Sequence, residues 1–315
     1  MRHLFAGVNS PAGFHSYFKS IIDEEKAARI IYIKGGPGTG KSTLMKKIAS
    51  AACDMGEPVE VFHCSSDPQS LVGVHIVNRR VALMDSTAPH IMEPKYPAVN
   101  GQIFNAAECL DRDKLSGREG ELSRYCAIKE TAFKRGFQYL KAAAAIDEMY
   151  DGESNTKKVD DIIELYIFQP SDTGGGRVRP LFLNAVTPDG PVSYQGGLRE
   201  GGLVVTIPPA ALNRLLEHAT RNGYDAEVFF SPLNPKVKIE HIHIPELNLW
   251  ISSEPPDDCD LRQKLIDGAV KAFGDARQAH RLMEDEIFIP AMDFDKLQHM
   301  AAQLAESLFS NSLLL

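Results

Sequence analysis

Eight consecutive residues, Gly35-Gly36-Pro37-Gly38-Thr39-Gly40-Lys41-Ser42, are of the types that hold a phosphate chain. They match the pattern G-x-x-x-x-G-K-[ST] at every fixed position. Glycines let the backbone wrap closely round an anion with its N–H groups pointing inward. Lys41 is placed to reach the β- and γ-phosphates and Ser42 to ligate Mg²⁺. The binding set expected here runs from Gly35 to Thr43. Such a loop also needs a carboxylate at the end of a neighbouring strand to hold the metal's hydration shell. Val81-Ala82-Leu83-Met84-Asp85, an apolar run ending in Asp, has that shape; the alternative is a surface Asp capping a turn.

The catalytic group is less legible. Ser86 follows Asp85, where many ATPases of this kind carry Glu. Asp85-Ser86-Thr87-Ala88 lacks the glycine of D-x-x-G, and no N-K-x-D occurs, which argues against a GTPase. Asp67 and His90 leave the ends of predicted strands, where α/β sheets bind ligands. Either is placed to orient water or touch substrate; either also reads as a turn residue. His63 and Cys64 read as satisfied or buried residues at a strand end. His241 and His243 share a strand face at a spacing that can bind metal, without an evident third ligand; a plain strand face is the alternative.

These residues need a scaffold. Arg29-Ile30-Ile31-Tyr32-Ile33 reads as a short buried strand and Thr43 to Ala49 as the start of a helix. Strand, loop and helix in that order make the phosphate cradle, and the helix N-terminus adds unpaired N–H donors and partial positive charge. With 315 residues the chain has room for two domains. The net charge of -8, acid and base interspersed, gives no indication of nucleic-acid binding. Five scattered cysteines without CxxC suggest a reducing compartment. The N-terminus lacks the apolar core of a signal peptide, and no run approaches a membrane span. A soluble cytoplasmic protein with no membrane association is expected.

The chain also repeats itself. His3 to Gly13 parallels Pro180 to Gly190, and Glu60 to Pro68 parallels Glu227 to Pro235. Keeping that offset, Val81 to Ser86 lies over Asn248 to Ser253, which puts Ser252 at the place of Asp85. Each copy ends in helical sequence: Leu122, Cys126, Phe133, Phe137, Leu140 and Ala144 mark one helix face in the first, Leu261 to Met283 the counterpart in the second. The second copy has lost its loop. Ile33 to Leu44 is eleven steps, Thr206 to Ala211 five, and Pro208-Pro209 stand where Lys and Ser belong. Proline suits a helix start but offers neither N–H nor cation.

Taken together, Leu4 to Gly7, Lys34 to Met45, His63 to Pro68, Asp85 to His90 and Ile289 to Phe294 resemble a little-studied bacterial family of tandem P-loop ATPases. The resemblance runs over nearly the whole chain, and the segments beginning at His63 and Asp85 are its most specific part. It implies two homologous P-loop NTPase-like α/β domains, each a mostly parallel sheet flanked by helices. Family members usually carry two loops; here the second copy is degenerate. The expected division is residues 1–170 with the intact site, a turn-rich linker over 170–177, and a pseudo-domain over 178–315. The expected function is ATP and Mg²⁺ binding with hydrolysis at one N-terminal site. A small-molecule kinase and a nucleotide-gated switch with little turnover are the alternatives. Arg177, Arg179, Arg199 and Arg214 are the arginines available beyond the linker to neutralise transition-state charge.

Overall fold

The structure is a computed structural model and describes residues 1–149, 157–167, 169–172, 174–195, 203–253 and 259–310. It is α/β, with mixed sheets and, among the described residues, no closed barrel. The chain divides into two compact units, both discontinuous in sequence. The first comprises Met1, Ile21–Ala132 and Asp275–Leu315; the second comprises Arg2–Ser20 and Phe133–Gly274. The expected division was contiguous. Two of the boundaries fall inside long helices, Glu119–Met149 and Asp260–Met283, and another falls between Ser20 and Ile21. The described residues of the expected linker, 170–177, make hydrogen bonds within the second unit. Gly175 N and Arg177 N both donate to Asp225 Oδ1, and Gly174 N donates to Ser171 Oγ, within the second unit.

In the first unit, strand β1 (Arg29–Lys34) leads to helix α1 (Lys41–Asp54), then β2 (Val59–Cys64), β3 (Asp67–Ile76), β4 (Val81–Asp85) and β5 (Gly101–Asn105). Their order in the sheet is β5-β1-β4-β3-β2. β1 runs parallel to both β4 and β5, because α1 and longer connections return the chain. The pairs β2–β3 and β3–β4 are antiparallel, so the mostly parallel sheet expected is in fact mixed. The reason is local: only Ser65-Ser66 and Val77 to Arg80 join these strands, and such short links can only make hairpins. Ile31, Ile33, Val74 and Leu83 from the sheet and Met45 and Ile48 from α1 form the core. Leu297, Leu304 and Leu308 of the helix Phe294–Phe309 complete it.

The second unit repeats four strands of this pattern. Its strands are β6 (Val178–Leu181), β7 (Leu203–Ile207), β8 (Ala226–Ser231), β9 (Asn234–Ile244) and β10 (Leu249–Ser253), with helix α2 (Pro209–Arg221) after β7. The order is β7-β10-β9-β8-β6. β7 is parallel to β10, while β8–β9 and β9–β10 are antiparallel, as for their counterparts. A bulge interrupts β2 at Phe62–Cys64 and β8 at Phe229–Ser231. The hairpins Gly7–Ser16 and Asn184–Ser193 also match: Ser10 Oγ donates to Gly13 O at 2.7 Å, and Thr187 Oγ1 to Gly190 O at 2.8 Å.

One detail of the alignment shifts. Cys64 pairs with Asp67 and His63 with Leu71; Ser231 pairs with Asn234 and Phe230 with Ile239. The bulged stretch is thus one residue longer in β9. His75 therefore corresponds to His243, and Asp85 to Ser253 in place of the expected Ser252. His75 Nδ1 lies 3.0 Å from Glu60 Oε2, and His243 Nδ1 lies 2.9 Å from Glu227 Oε2. Both copies keep the same buried carboxylate–imidazole pair.

Candidate functional site

The glycine-rich loop joins the C-terminal end of β1 to the first residue of α1, Lys41. Gly38 and Gly40 sit at φ 66° and 75°, the left-handed region that disfavours a side chain. Space agrees with conformation, since a Cβ on Gly40 would come within 2.7 Å of Leu297. Buried Thr39 donates from Oγ1 to Gly36 O at 2.8 Å, and Thr87 Oγ1 donates to Gly35 O at 2.9 Å. Lys41 Nζ donates to Gly35 O at 3.0 Å and Gly36 O at 2.8 Å, and lies 3.9 Å from Asp85 Oδ2. Burial lowers the Lys41 pKa, against the pull of Asp85 and Glu284. Ser42 Oγ accepts from Leu71 N at 2.9 Å, while Thr43 is exposed on the first turn.

Asp85 ends β4 directly opposite Ile33, two residues before Gly35. Its Oδ1 accepts from Thr87 N at 2.9 Å, so the turn-capping role and the position facing Lys41 are held together. Asp67 opens β3; Oδ2 accepts from Ser70 Oγ at 2.6 Å, and Oδ1 is buried with no hydrogen-bond partner among the described residues. His90 stands close enough to feel the charges of Asp85 and Lys41, and burial pushes its pKa down to about 4. It is a neutral imidazole at pH 7. Cys64 is pushed up to about 11 by burial, which leaves no thiolate for nucleophilic work. His63 Nδ1 lies 2.8 Å from Pro68 O.

Two residues of the site escape sequence reasoning, His280 and Glu284. Glu284 Oε1 accepts from Gly38 N at 2.9 Å, and His280 Nε2 lies 3.6 Å from the same oxygen. Burial pushes the His280 pKa down to about 4, helped by the Lys129 and Lys41 charges and opposed by Asp67 and Asp85. Burial raises that of Glu284; the Gly38 N–H opposes this and Asp67 adds to it. Both residues lie far from the loop in sequence and belong to no motif. The nearest signal was the resemblance carried by Ile289 to Phe294, which follows them immediately.

The second copy contains no such loop. β7 ends at Ile207 and α2 begins at Pro209, with Pro208 alone between them. His241 Nδ1 lies 2.9 Å from Ser252 Oγ, and His243 stacks on Trp250 at 4.2 Å between ring centres. Of the four arginines, Arg177 pairs with Asp225, Arg179 with Glu227 and Arg214 with Asp160, all within the second unit. Arg199 lies outside the described residues.

The donors round the loop fit a hydrated hard cation. The Ser42 hydroxyl, the Asp85 carboxylate and the unpartnered Asp67 oxygen are all oxygen ligands, the type Mg²⁺ prefers. Among the described residues no group of three His, Cys, Asp or Glu side chains is gathered for direct coordination. All five cysteines are free. No helix of the described residues is long and apolar enough to cross a membrane.

A family model described as "Nephrocystin 3, N-terminal" matches residues 14–99, a stretch that contains the loop, Asp67, Asp85 and His90. No curated protein and no solved structure matches the chain.

Proposed function

We propose that the chain binds one ATP with Mg²⁺ at residues 35–43 and hydrolyses it. The carrying observation is the placement of a complete phosphate-loop sequence between β1 and α1, with Lys41 Nζ 3.9 Å from the Asp85 carboxylate on the adjacent parallel strand. In this reading the loop N–H groups and the N-terminus of α1 receive the phosphates. Lys41 leaves the Gly35 and Gly36 carbonyls to neutralise their charge. Ser42 and Asp85 are the residues to hold the metal, which when bound would neutralise charge on the phosphate oxygens. Asp67 is the first choice for orienting the attacking water, because its buried Oδ1 has no other partner in the described residues. Neutral His90 is the second choice. ATP is preferred over GTP because the chain lacks N-K-x-D. The second unit is a pseudo-domain that evolved from the same ancestor and binds no nucleotide. Five free cysteines support a reducing cytoplasm as its location.

A nucleotide-gated switch with little turnover is the second reading. It rests on Ser86, which takes the position of the usual glutamate and is turned into the fold: its N–H donates to Ile33 O at 2.9 Å. Phosphate release from ATP by the full chain decides between them. Hydrolysis expects turnover that needs Mg²⁺ and falls at least about a hundredfold in Lys41→Ala. Tight binding without phosphate release selects the switch, and no binding at all removes both.

A further inference from the structure

The glycine-rich loop is already engaged by the chain's own C-terminal segment, within the first unit. The helix Asp260–Met283 does not end cleanly; it passes into a π-helical turn, Glu284–Phe288, and a tight turn, Ile289–Ala291. Wide turns of this kind occur disproportionately at functional sites. Together the two turns aim three side chains at two residues of the loop, Gly36 and Gly38. Glu284 Oε1 accepts from Gly38 N at 2.9 Å. The Phe288 ring lies 3.0 Å from where a Cβ on Gly36 would stand, and Ile289 lies 2.9 Å from the equivalent point on Gly38. A carboxylate held on a loop N–H, with Lys41 close enough to feel its charge, is a chemical stand-in for a phosphate oxygen.

We propose that Glu284 is a built-in phosphate mimic held on the loop at Gly38 N, and that a nucleotide must expel it, and the turn carrying it, in order to bind. This rests on the reading of residues 35–43 as a nucleotide site. The chemistry requires the expulsion. One N–H cannot serve a carboxylate and a phosphate oxygen together, and the two anions repel each other in a half-buried pocket. The loop is competent only in the fraction of molecules whose Glu284 has swung away, so the apparent affinity falls by that fraction. Nucleotide binding would thereby be converted into release of Glu284–Ala291. His280, one helical turn before Glu284 and 3.6 Å from it, moves with the same segment.

The test is calorimetric titration of the full-length chain with ADP in Mg²⁺ buffer, for wild type, Glu284→Ala, Glu284→Gln and Lys41→Ala. The mimic predicts that Glu284→Ala binds about tenfold more tightly than wild type, and that isosteric Glu284→Gln, which loses only the charge, also binds more tightly. Glu284→Gln keeps the test decisive if the alanine variant is unstable. Hydrogen exchange should show residues 284–291 losing protection when ADP is added to wild type. Equal or weaker binding in both Glu284 variants, with Lys41→Ala still abolishing it, overturns the mimic and leaves the nucleotide site standing. No ADP binding in any form removes the site and the mimic together.

Discussion

Lys41 is a buried cation whose present partners are two backbone carbonyls, Gly35 O and Gly36 O. Gly35 O also accepts from Thr87 Oγ1 and Gly36 O from Thr39 Oγ1, so Lys41→Ala leaves neither carbonyl unsatisfied and should leave the melting temperature nearly unchanged while removing nucleotide binding. Asp85 differs. Its Oδ1 caps the turn at Thr87, so Asp85→Asn keeps an acceptor there and loses only charge. The expected outcome is a higher Mg²⁺ requirement for turnover with little change in nucleotide affinity without metal. A metal titration of phosphate release checks this; an unchanged Mg²⁺ midpoint would move the role to Asp67. At this scale the sequence was most legible where one short segment holds the whole pattern, as in Gly35 to Ser42, which the structure places between β1 and α1. It was silent on His280 and Glu284, because their function depends on a turn brought to the loop from the far end of the chain.

Four strands of each sheet, β1-β4-β3-β2 and β7-β10-β9-β8, share order and direction, a bulge and a buried glutamate–histidine pair, and these say what each element must keep. Glu227 shows the energetics most clearly. It is 7 % exposed and receives Arg2 Nη1 at 2.9 Å, Arg179 Nη1 at 2.9 Å and His243 Nδ1 at 2.9 Å. Burial alone would raise its pKa; the His243 hydrogen bond and the Arg2 and Arg179 charges more than offset that and hold it below 4.5. Glu227→Gln leaves the charges of the part-buried Arg2 and Arg179 uncompensated and should cost about 3 kcal/mol in urea denaturation. The pH dependence follows from the same shift. Because the folded pKa lies below the unfolded value, the contribution is complete above pH 4.5 and is lost as pH falls beneath it. The acid limb of a stability–pH curve should be shallower in Glu227→Gln than in wild type; an identical limb would contradict the assignment. The repeat was readable from similar residues in both halves. Its one-residue slip was not, since an insertion inside a bulge leaves the flanking pattern intact. The antiparallel strands were likewise hidden behind a phosphate loop that suggested a parallel sheet.

For the whole molecule, the discontinuity of the units matters most. Sequence similarity marks where copies begin and end along the chain, whereas a core is assembled from whatever packs together. Leu297, Leu304 and Leu308 lie in the same core as Ile31, Met45 and Leu83. A fragment of residues 1–170 removes all three leucines, and each such loss costs about 2–5 kcal/mol even as a point change to alanine. The fragment should show no cooperative thermal transition by circular dichroism and no nucleotide binding. A stable, nucleotide-binding fragment would mean that Phe294–Phe309 is dispensable to the first unit.

The central claim is one live nucleotide site per chain, built on Lys41, with the second copy's site lost between Ile207 and Pro209. Calorimetric titration of the full chain with a non-hydrolysable ATP analogue and Mg²⁺ tests it most directly. The account predicts a stoichiometry of one that disappears in Lys41→Ala. No binding, two sites per chain, or a single site that survives Lys41→Ala would contradict it.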